Sequence, residues 1–253
     1  MLWYKSWLET RWQFIAGLIV LACAAAEVVL LWPKINELIP MASNIQANGE
    51  IGRRIREGAE LARDYRGYVW SQAFRQGVTH MATLFAVLLG TGGLLSHRSG
   101  GLFLLSLPVP RRRFVLTRAA AGLGELLILA FIPSVGILLF SPAVGKSYGV
   151  ADAVAHGTCL FAAAAVFFSS ALLATSIFGD FWRPLLTVLC LAIILGLLES
   201  ALAGQWTWGI FHIMSGEAYF RHRELPWLGL LASAAISIAM LFGATIEIER
   251  LDF

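Results

Sequence analysis

Six apolar stretches, each close to the length that crosses a lipid bilayer, constrain this sequence more than any other feature. A spanning helix needs about 20 mostly apolar residues. The chain is 58% hydrophobic and 14% charged, whereas a soluble domain has about 25% charged residues. The sequence therefore predicts an all-α integral membrane protein with a single transmembrane domain over residues 1–253. The six predicted spans are 14–32, 78–95, 119–141, 153–178, 184–203 and 227–246.

Three segments outside the spans have distinctive compositions. Residues 1–13 place aromatic side chains on one half of a helical wheel, which predicts an N-terminal helix lying in the membrane interface. The alternative is an aromatic collar on the first span. The segment 33–77 contains i,i+4 ion pairs and predicts a surface helix on the outer side. Residues 204–226 are rich in aromatic side chains, which predicts an outer re-entrant or interfacial segment.

The arginines orient the chain in the membrane. Six spans place both termini on the same side, and a bare count of cations does not decide which side that is. The compact cluster of Arg111, Arg112, Arg113 and Arg118 lies directly against the third span, and such clusters favour the cytoplasm. We therefore expect a multi-pass plasma membrane protein with both termini in the cytoplasm. The net charge of only +3 gives no indication of a nucleic-acid partner.

Motifs for catalysis and cofactor binding are missing from the sequence. The triplet Gly145-Lys146-Ser147 resembles the end of a phosphate-binding loop, but Phe140 stands where that loop requires glycine. No two histidines are four residues apart, and the cysteines form no CxxC pair, so zinc-binding patterns are absent. We expect a chain that has no ATPase site and binds no metal or cofactor of its own.

The most informative stretch connects the second and third predicted spans, over residues 96–118. Gly100 and Gly101 interrupt the second span, and residues 102–107 form an apolar helix that is far too short to cross a bilayer. Pro108 and Pro110 end it. A short apolar helix on the cytoplasmic face, followed by arginines, requires a cover. Anionic lipid headgroups and a soluble partner with a groove would both serve.

This stretch resembles the permease subunits of ABC-2-type ABC transporters, which carry a Gly, apolar, Ser-Leu-Pro, basic segment between their second and third spans. Here that segment runs from Gly101 to Arg113. Residues 2–11 also resemble the family's N-terminal connecting helix, and residues 65–71 resemble the stretch ahead of its second span. The resemblance implies that a short cytoplasmic coupling helix contacts a separate ATPase subunit. Its residues are Gly101, Leu102, Phe103, Leu104, Leu105, Ser106, Leu107 and Pro108.

The same resemblance implies the partners and the location. The chain would be the permease of an ATP-driven exporter in the bacterial inner membrane, working with two copies of a cytoplasmic ABC ATPase that hold the ATP and Mg²⁺. A second permease copy, identical or a close paralogue, would complete the transporter among membrane lipids, with an accessory subunit as a further option. Two readings from other classes stay open, namely an intramembrane enzyme that processes lipids or peptides, and a non-transporting immunity or scaffold protein. Co-purification of a stoichiometric ATPase distinguishes them.

Three carboxylates and one stripe of small residues lie inside the predicted spans. Glu125 follows Arg118 by two helical turns, which predicts local pairing. Glu27 and Glu199 lie at similar depth in the outer leaflet. The resemblance implies that the first and fifth spans border a central conduit, so we hypothesise that both acids line its outer end; the alternative is that each accepts a hydrogen bond from a neighbouring helix. Four-residue spacing of small side chains predicts a helix contact face; the resemblance implies that two permeases pair, which would make this face a dimer seam, and the alternative is packing within the chain. The stripe comprises Ala192, Gly196, Ser200 and Gly204.

Overall fold

The computed structural model describes residues 2–43, 58, 60–92, 111–178, 180–202 and 209–250, and every regular element in these ranges is a helix. The elements are α1 (Leu2–Ser43), α2 (Tyr65–Val69), a π-helical segment (Trp70–Gly77), α3 (Val78–Thr91), α4 (Arg111–Phe140), a 3₁₀ turn (Ser141–Val144), α5 (Val150–Phe178), α6 (Trp182–Ala201), α7 (Ile210–Met214), α8 (Glu217–His222) and α9 (Trp227–Arg250).

Five of the described helices are long and apolar enough to cross a membrane, which confirms a helical multi-pass membrane protein. Each of the five covers all or nearly all of one predicted span, and several extend further at one or both ends. The predicted spans concerned are 14–32, 119–141, 153–178, 184–203 and 227–246. A helix can extend beyond the hydrocarbon layer because its backbone hydrogen bonds are internal and are kept in the polar headgroup layer. The five candidates are Ser6–Leu38, Arg112–Val144, Val150–Phe178, Trp182–Ala201 and Trp227–Glu249.

The first helix differs from its prediction. Residues 2–43 form one continuous helix of 42 residues, so the predicted boundary between an interfacial helix at 1–13 and a span at 14–32 does not correspond to a break. No proline precedes Pro33, and nothing in the sequence before it forces the chain to turn. The helix also continues past Trp32 into the segment that was predicted to lie outside the membrane.

The second predicted span, 78–95, is shorter in the structure. Helix α3 begins at Val78, as predicted, but ends at Thr91 after 14 residues. The cap residue Gly92 is extended, with ψ 154°, which stops the helix. Helix α3 is therefore not among the five candidates, although α2 and the π-helical segment lead into it without interruption.

Helix α5 is the centre of the bundle. In its most apolar window 72% of the residues are buried, against 39% in the next most buried candidate span. It packs against α3, α4, α6 and α9, whereas α1 packs mainly on α4 and α3. Small side chains in α5 let the neighbouring helices approach closely. At the tightest crossing, a Cβ on Gly90 of α3 would lie 2.5 Å from the backbone oxygen of Phe168.

Contacts between the helices define two ends of the bundle. At the proximal end, where α1 begins, the Thr10 hydroxyl donates to Glu125 of α4 at 2.8 Å. At the distal end, the Tyr68 hydroxyl donates to the carbonyl of Val28 at 2.9 Å, and the Tyr65 and Ser141 hydroxyls lie 2.6 Å apart. The connecting residues 65–77, 141–149 and 209–226 therefore gather at the distal end.

Candidate functional site

A buried arginine joins three helices at the proximal end. The Arg118 side chain on α4 is 3% exposed, and its Nη2 atom donates to the carbonyl oxygens of Leu89 and Gly92, both at 2.6 Å. These carbonyls belong to the last turn of α3 and its cap, where helical partners are lacking. The Nη1 atom lies 3.5 Å from the Ser6 hydroxyl of α1. Arg118 therefore caps α3 and fixes its end to α4 and α1.

Glu125 is the acidic partner of this cluster. It is buried, and its Oε1 atom accepts the hydrogen bond from Thr10, whereas Oε2 has no hydrogen-bond partner among the described residues. Arg118 and Glu125 attract each other electrostatically, as their spacing in the sequence predicted, but the hydrogen bond to the carboxylate comes from a different helix. The cluster therefore combines an electrostatic attraction within α4 with a hydrogen bond between α1 and α4.

Glu199 holds the distal connection between α6 and α7. Both of its carboxylate oxygens lie 3.1 Å from the backbone nitrogen of Phe211, which donates to them. A Cβ at Gly209 would lie 2.3 Å from the carboxyl carbon of Glu199, so glycine at this position permits the close approach. The carboxylate fixes the entry of α7 against the last turn of α6.

His212 bridges Glu199 to a second carboxylate. Its Nδ1 atom lies 3.2 Å from Glu199, and its Nε2 atom lies 3.4 Å from Glu217. When both ring nitrogens face carboxylate oxygens, both must carry hydrogens to donate, and this requires the imidazolium form. The hydrogen bond to Glu199 raises the pKa of His212, desolvation opposes this, and the charge of Glu217 raises it further, while Arg75 lowers it.

We expect this bridge to make stability depend on pH. The pKa of His212 is raised above the ordinary histidine value of 6.5, so the bridge stabilises the folded protein fully below pH 6.5 and is lost as the pH rises through the raised value. The melting temperature in detergent should therefore fall over that range, and the fall should be smaller in His212→Gln. His222→Gln, at an exposed histidine on the same segment, is the control and should keep the wild-type profile. An unchanged profile in His212→Gln would contradict the bridge.

A second ionic contact holds the distal end together. Asp152, buried in the first turn of α5, lies 3.2 Å from Arg66 and 3.0 Å from Arg223. The Arg66 guanidinium also lies over the ring of Phe220, at 5.2 Å from its centroid. Trp70 also stacks on Phe220, with ring centroids 4.4 Å apart. Elements that come from three separate parts of the chain are thus joined around one carboxylate.

The predicted conduit carboxylates lie in different environments. Glu27 is exposed on α1, whereas Glu199 is buried and accepts hydrogen bonds from Phe211 and His212. The contacts of Glu199 are those of a carboxylate that accepts hydrogen bonds from a neighbouring helix, which is the alternative to a conduit lining. Sequence reasoning missed His212 and Thr10 as partners, because each reaches its carboxylate across a change of helix.

The predicted dimer seam is partly used inside the chain. Ala192 is buried, and a Cβ at Gly196 would lie 3.4 Å from the ring of Phe211, while Ser200 is exposed. Gly204 lies outside the described residues. So does the whole predicted coupling helix, from Gly101 to Pro108. Within the described ranges, no group of three or more His, Cys, Asp or Glu side chains is arranged to hold a metal ion.

No family model, no curated protein and no solved structure matches this chain. The class that the fold defines is a helical multi-pass membrane protein with buried polar contacts at both ends of its bundle.

Proposed function

We propose that this protein is the membrane-spanning permease subunit of an ABC-2-type exporter, driven by separate ATPase subunits. The observation that carries the proposal is the sequence from Gly100 to Arg113, with its paired glycines, short apolar stretch, Ser-Leu-Pro and arginines. In this proposal the chain performs no bond chemistry. ATP and Mg²⁺ are held by the partner, and this chain supplies the path through the membrane.

The contacts on both sides of that segment support the proposal. Helix α3 ends at Thr91 and α4 begins at Arg111, so the two helix ends that flank the segment both lie at the proximal end. Arg118 donates to the end of α3 from within α4, and Thr10 joins α1 to the same helix. A displacement of the segment by an ATPase would therefore reach three helices through short, buried contacts. Coupling between nucleotide state and helix packing requires such a connection.

A sixth crossing belongs to the proposal. Residues 65–91 are helical without interruption, and at about 1.5 Å per residue they are long enough to cross the hydrocarbon layer. Tyr68 contacts the distal end of α1, and Leu89 contacts Arg118 at the proximal end. This helical stretch therefore runs from one end of the bundle to the other alongside the five candidate spans.

Orientation and assembly follow from the same proposal. The proximal end, with exposed Arg112 and Arg113, faces the cytoplasm, as the positive-inside rule favours. Both termini then lie in the cytoplasm of a cell whose inner membrane contains a second permease copy, with two ATPase copies beneath. The exposed carboxylate of Glu27 is the better candidate for a conduit lining, because Glu199 is already engaged within the chain.

Substitution of the coupling helix tests the proposal. We expect Leu104→Asp to leave membrane insertion intact but to detach the ATPase, because a carboxylate would be buried without a partner in an apolar groove. The measurement is the amount of a co-purifying protein with an ATP-binding motif, together with the ATP turnover of the complex. Leu104→Met keeps the apolar volume and should retain both. A Leu104→Asp protein that still binds and activates the ATPase would refute the coupling role.

A further inference from the structure

A groove opens at the proximal end between the first turns of α1 and α4. Its volume is about 370 Å³, and it is lined by Trp3, Arg112, Arg113, Leu116 and Thr117. Both arginine side chains are exposed. Within the described part of the chain neither forms an ion pair, whereas Arg183 at the same end is paired with Asp180 at 3.3 Å. The groove therefore presents two positive charges whose counter-charge is not provided by the described residues.

An open lane continues from this groove along α4. Ala120 and Gly124 follow Leu116 at four-residue spacing, on one face of the helix, and all three are exposed. A Cβ placed on Gly124 would meet no atom of the described residues within 4 Å. The lane lies on the apolar span Arg112–Val144, where the surrounding solvent is lipid. Small side chains between larger ones leave a shallow depression that suits a hydrocarbon chain.

We propose that this groove and lane bind one anionic phospholipid, with its phosphate at Arg112 and Arg113 and an acyl chain over Ala120 and Gly124. Basic pockets between membrane helices bind such headgroups, and tryptophan at the position of Trp3 is typical of the headgroup layer. An acidic surface of a soluble partner would satisfy the arginines alone. From Arg113 to Gly124 the helix rises about 16 Å, so only a lipid reaches both parts of the site.

The test measures binding of dioleoyl phosphatidylglycerol to the detergent-solubilised protein, by native mass spectrometry and by thermal shift. Phosphatidylglycerol should bind more tightly than phosphatidylcholine. Arg112→Gln combined with Arg113→Gln should weaken phosphatidylglycerol binding about thirty-fold, the change expected for two arginines at a membrane surface. Arg183→Gln removes one positive charge at the same end and should change binding less than about threefold.

A second variant tests the acyl lane without changing charge. Gly124→Leu fills the depression and should weaken phosphatidylglycerol binding, while its melting temperature without lipid stays close to that of the wild type. Glycerol phosphate, which has the headgroup chemistry but no acyl chain, should protect far less than the lipid. Equal protection by glycerol phosphate would overturn the proposal in favour of a phosphate site. Unchanged lipid binding in the double arginine variant, with loss of a protein partner, would overturn it in favour of a protein-docking surface.

Discussion

Replacing Arg118 with methionine is expected to destabilise the protein by about 1–3 kcal/mol for each buried carbonyl that loses its hydrogen-bond donor. The substitution leaves the carbonyls of Leu89 and Gly92 without their donor and removes the positive charge that attracts Glu125. Glu125→Gln should cost less, since an amide oxygen still accepts from Thr10 and Arg118 keeps its carbonyl partners. The measurement is the midpoint of unfolding in a mixed detergent and denaturant titration.

Arg112→Met is the matched control for this experiment. Arg112 lies on the same helix, is exposed, and is not among the residues of α4 that hydrogen-bond to α3 in the described part of the chain. Its substitution should change the free energy of unfolding by less than about 0.5 kcal/mol in lipid-free detergent. Arg118→Lys should lose an amount of stability between those of Arg112→Met and Arg118→Met. An ammonium keeps the charge but lacks the planar guanidinium that reaches two carbonyls. Equal destabilisation by Arg112→Met and Arg118→Met would contradict the capping role.

Two glycine substitutions should change stability in opposite directions. In Gly90→Ala the new methyl group would lie 2.5 Å from the backbone oxygen of Phe168 and 2.6 Å from the Cβ of Ala171. A backbone oxygen cannot rotate away, so α3 and α5 must separate, and we expect a loss of about 1–3 kcal/mol. Gly90→Val should prevent a monodisperse fold. Gly124→Ala meets no atom within 4 Å and should stabilise α4 by up to about 1 kcal/mol through helix propensity.

Both glycine variants are compared with the wild type by melting temperature and by size-exclusion profile in the same detergent. A Gly90→Ala protein as stable as the wild type would show that α3 and α5 are not in close contact at this crossing. If Gly124→Ala were as destabilised as Gly90→Ala, the face of α4 that carries Gly124 would be packed rather than open.

Hydrophobic length predicted the five long helices because a bilayer imposes one requirement on every span. The ends of α1 and α3 were predicted less well. Helix α1 continues through Pro33 and Pro40 to Ser43, although proline usually ends a helix. Helix α3 ends at Thr91 although the apolar run continues to residue 95. The π-helical segment Trp70–Gly77 was not predicted, because an additional residue in a helical turn has no compositional signature.

The polar contacts also differ in how well the sequence predicted them. Arg118 and Glu125 share one helix, so their spacing alone indicated that they interact. His212 and Glu199 approach each other only after the chain leaves α6 and turns into α7, and no periodicity extends across that change. A histidine outside the spans, close to a carboxylate at the end of a span, is a weak signal that the sequence contains. The choice of partner depended on the fold.

The capping of α3 by Arg118 has a consequence for how related chains would vary. The arginine recognises main-chain oxygens of Leu89 and Gly92, and every amino acid supplies such an oxygen. A substitution at position 89 therefore leaves the acceptor in place and calls for no compensating change at 118. Contacts inferred from correlated substitutions would not include this one, although it joins two helices and both flanks of the proposed coupling segment. In an alignment of relatives, this contact would be visible only as an arginine that stays constant at position 118, while positions 89 and 92 vary freely.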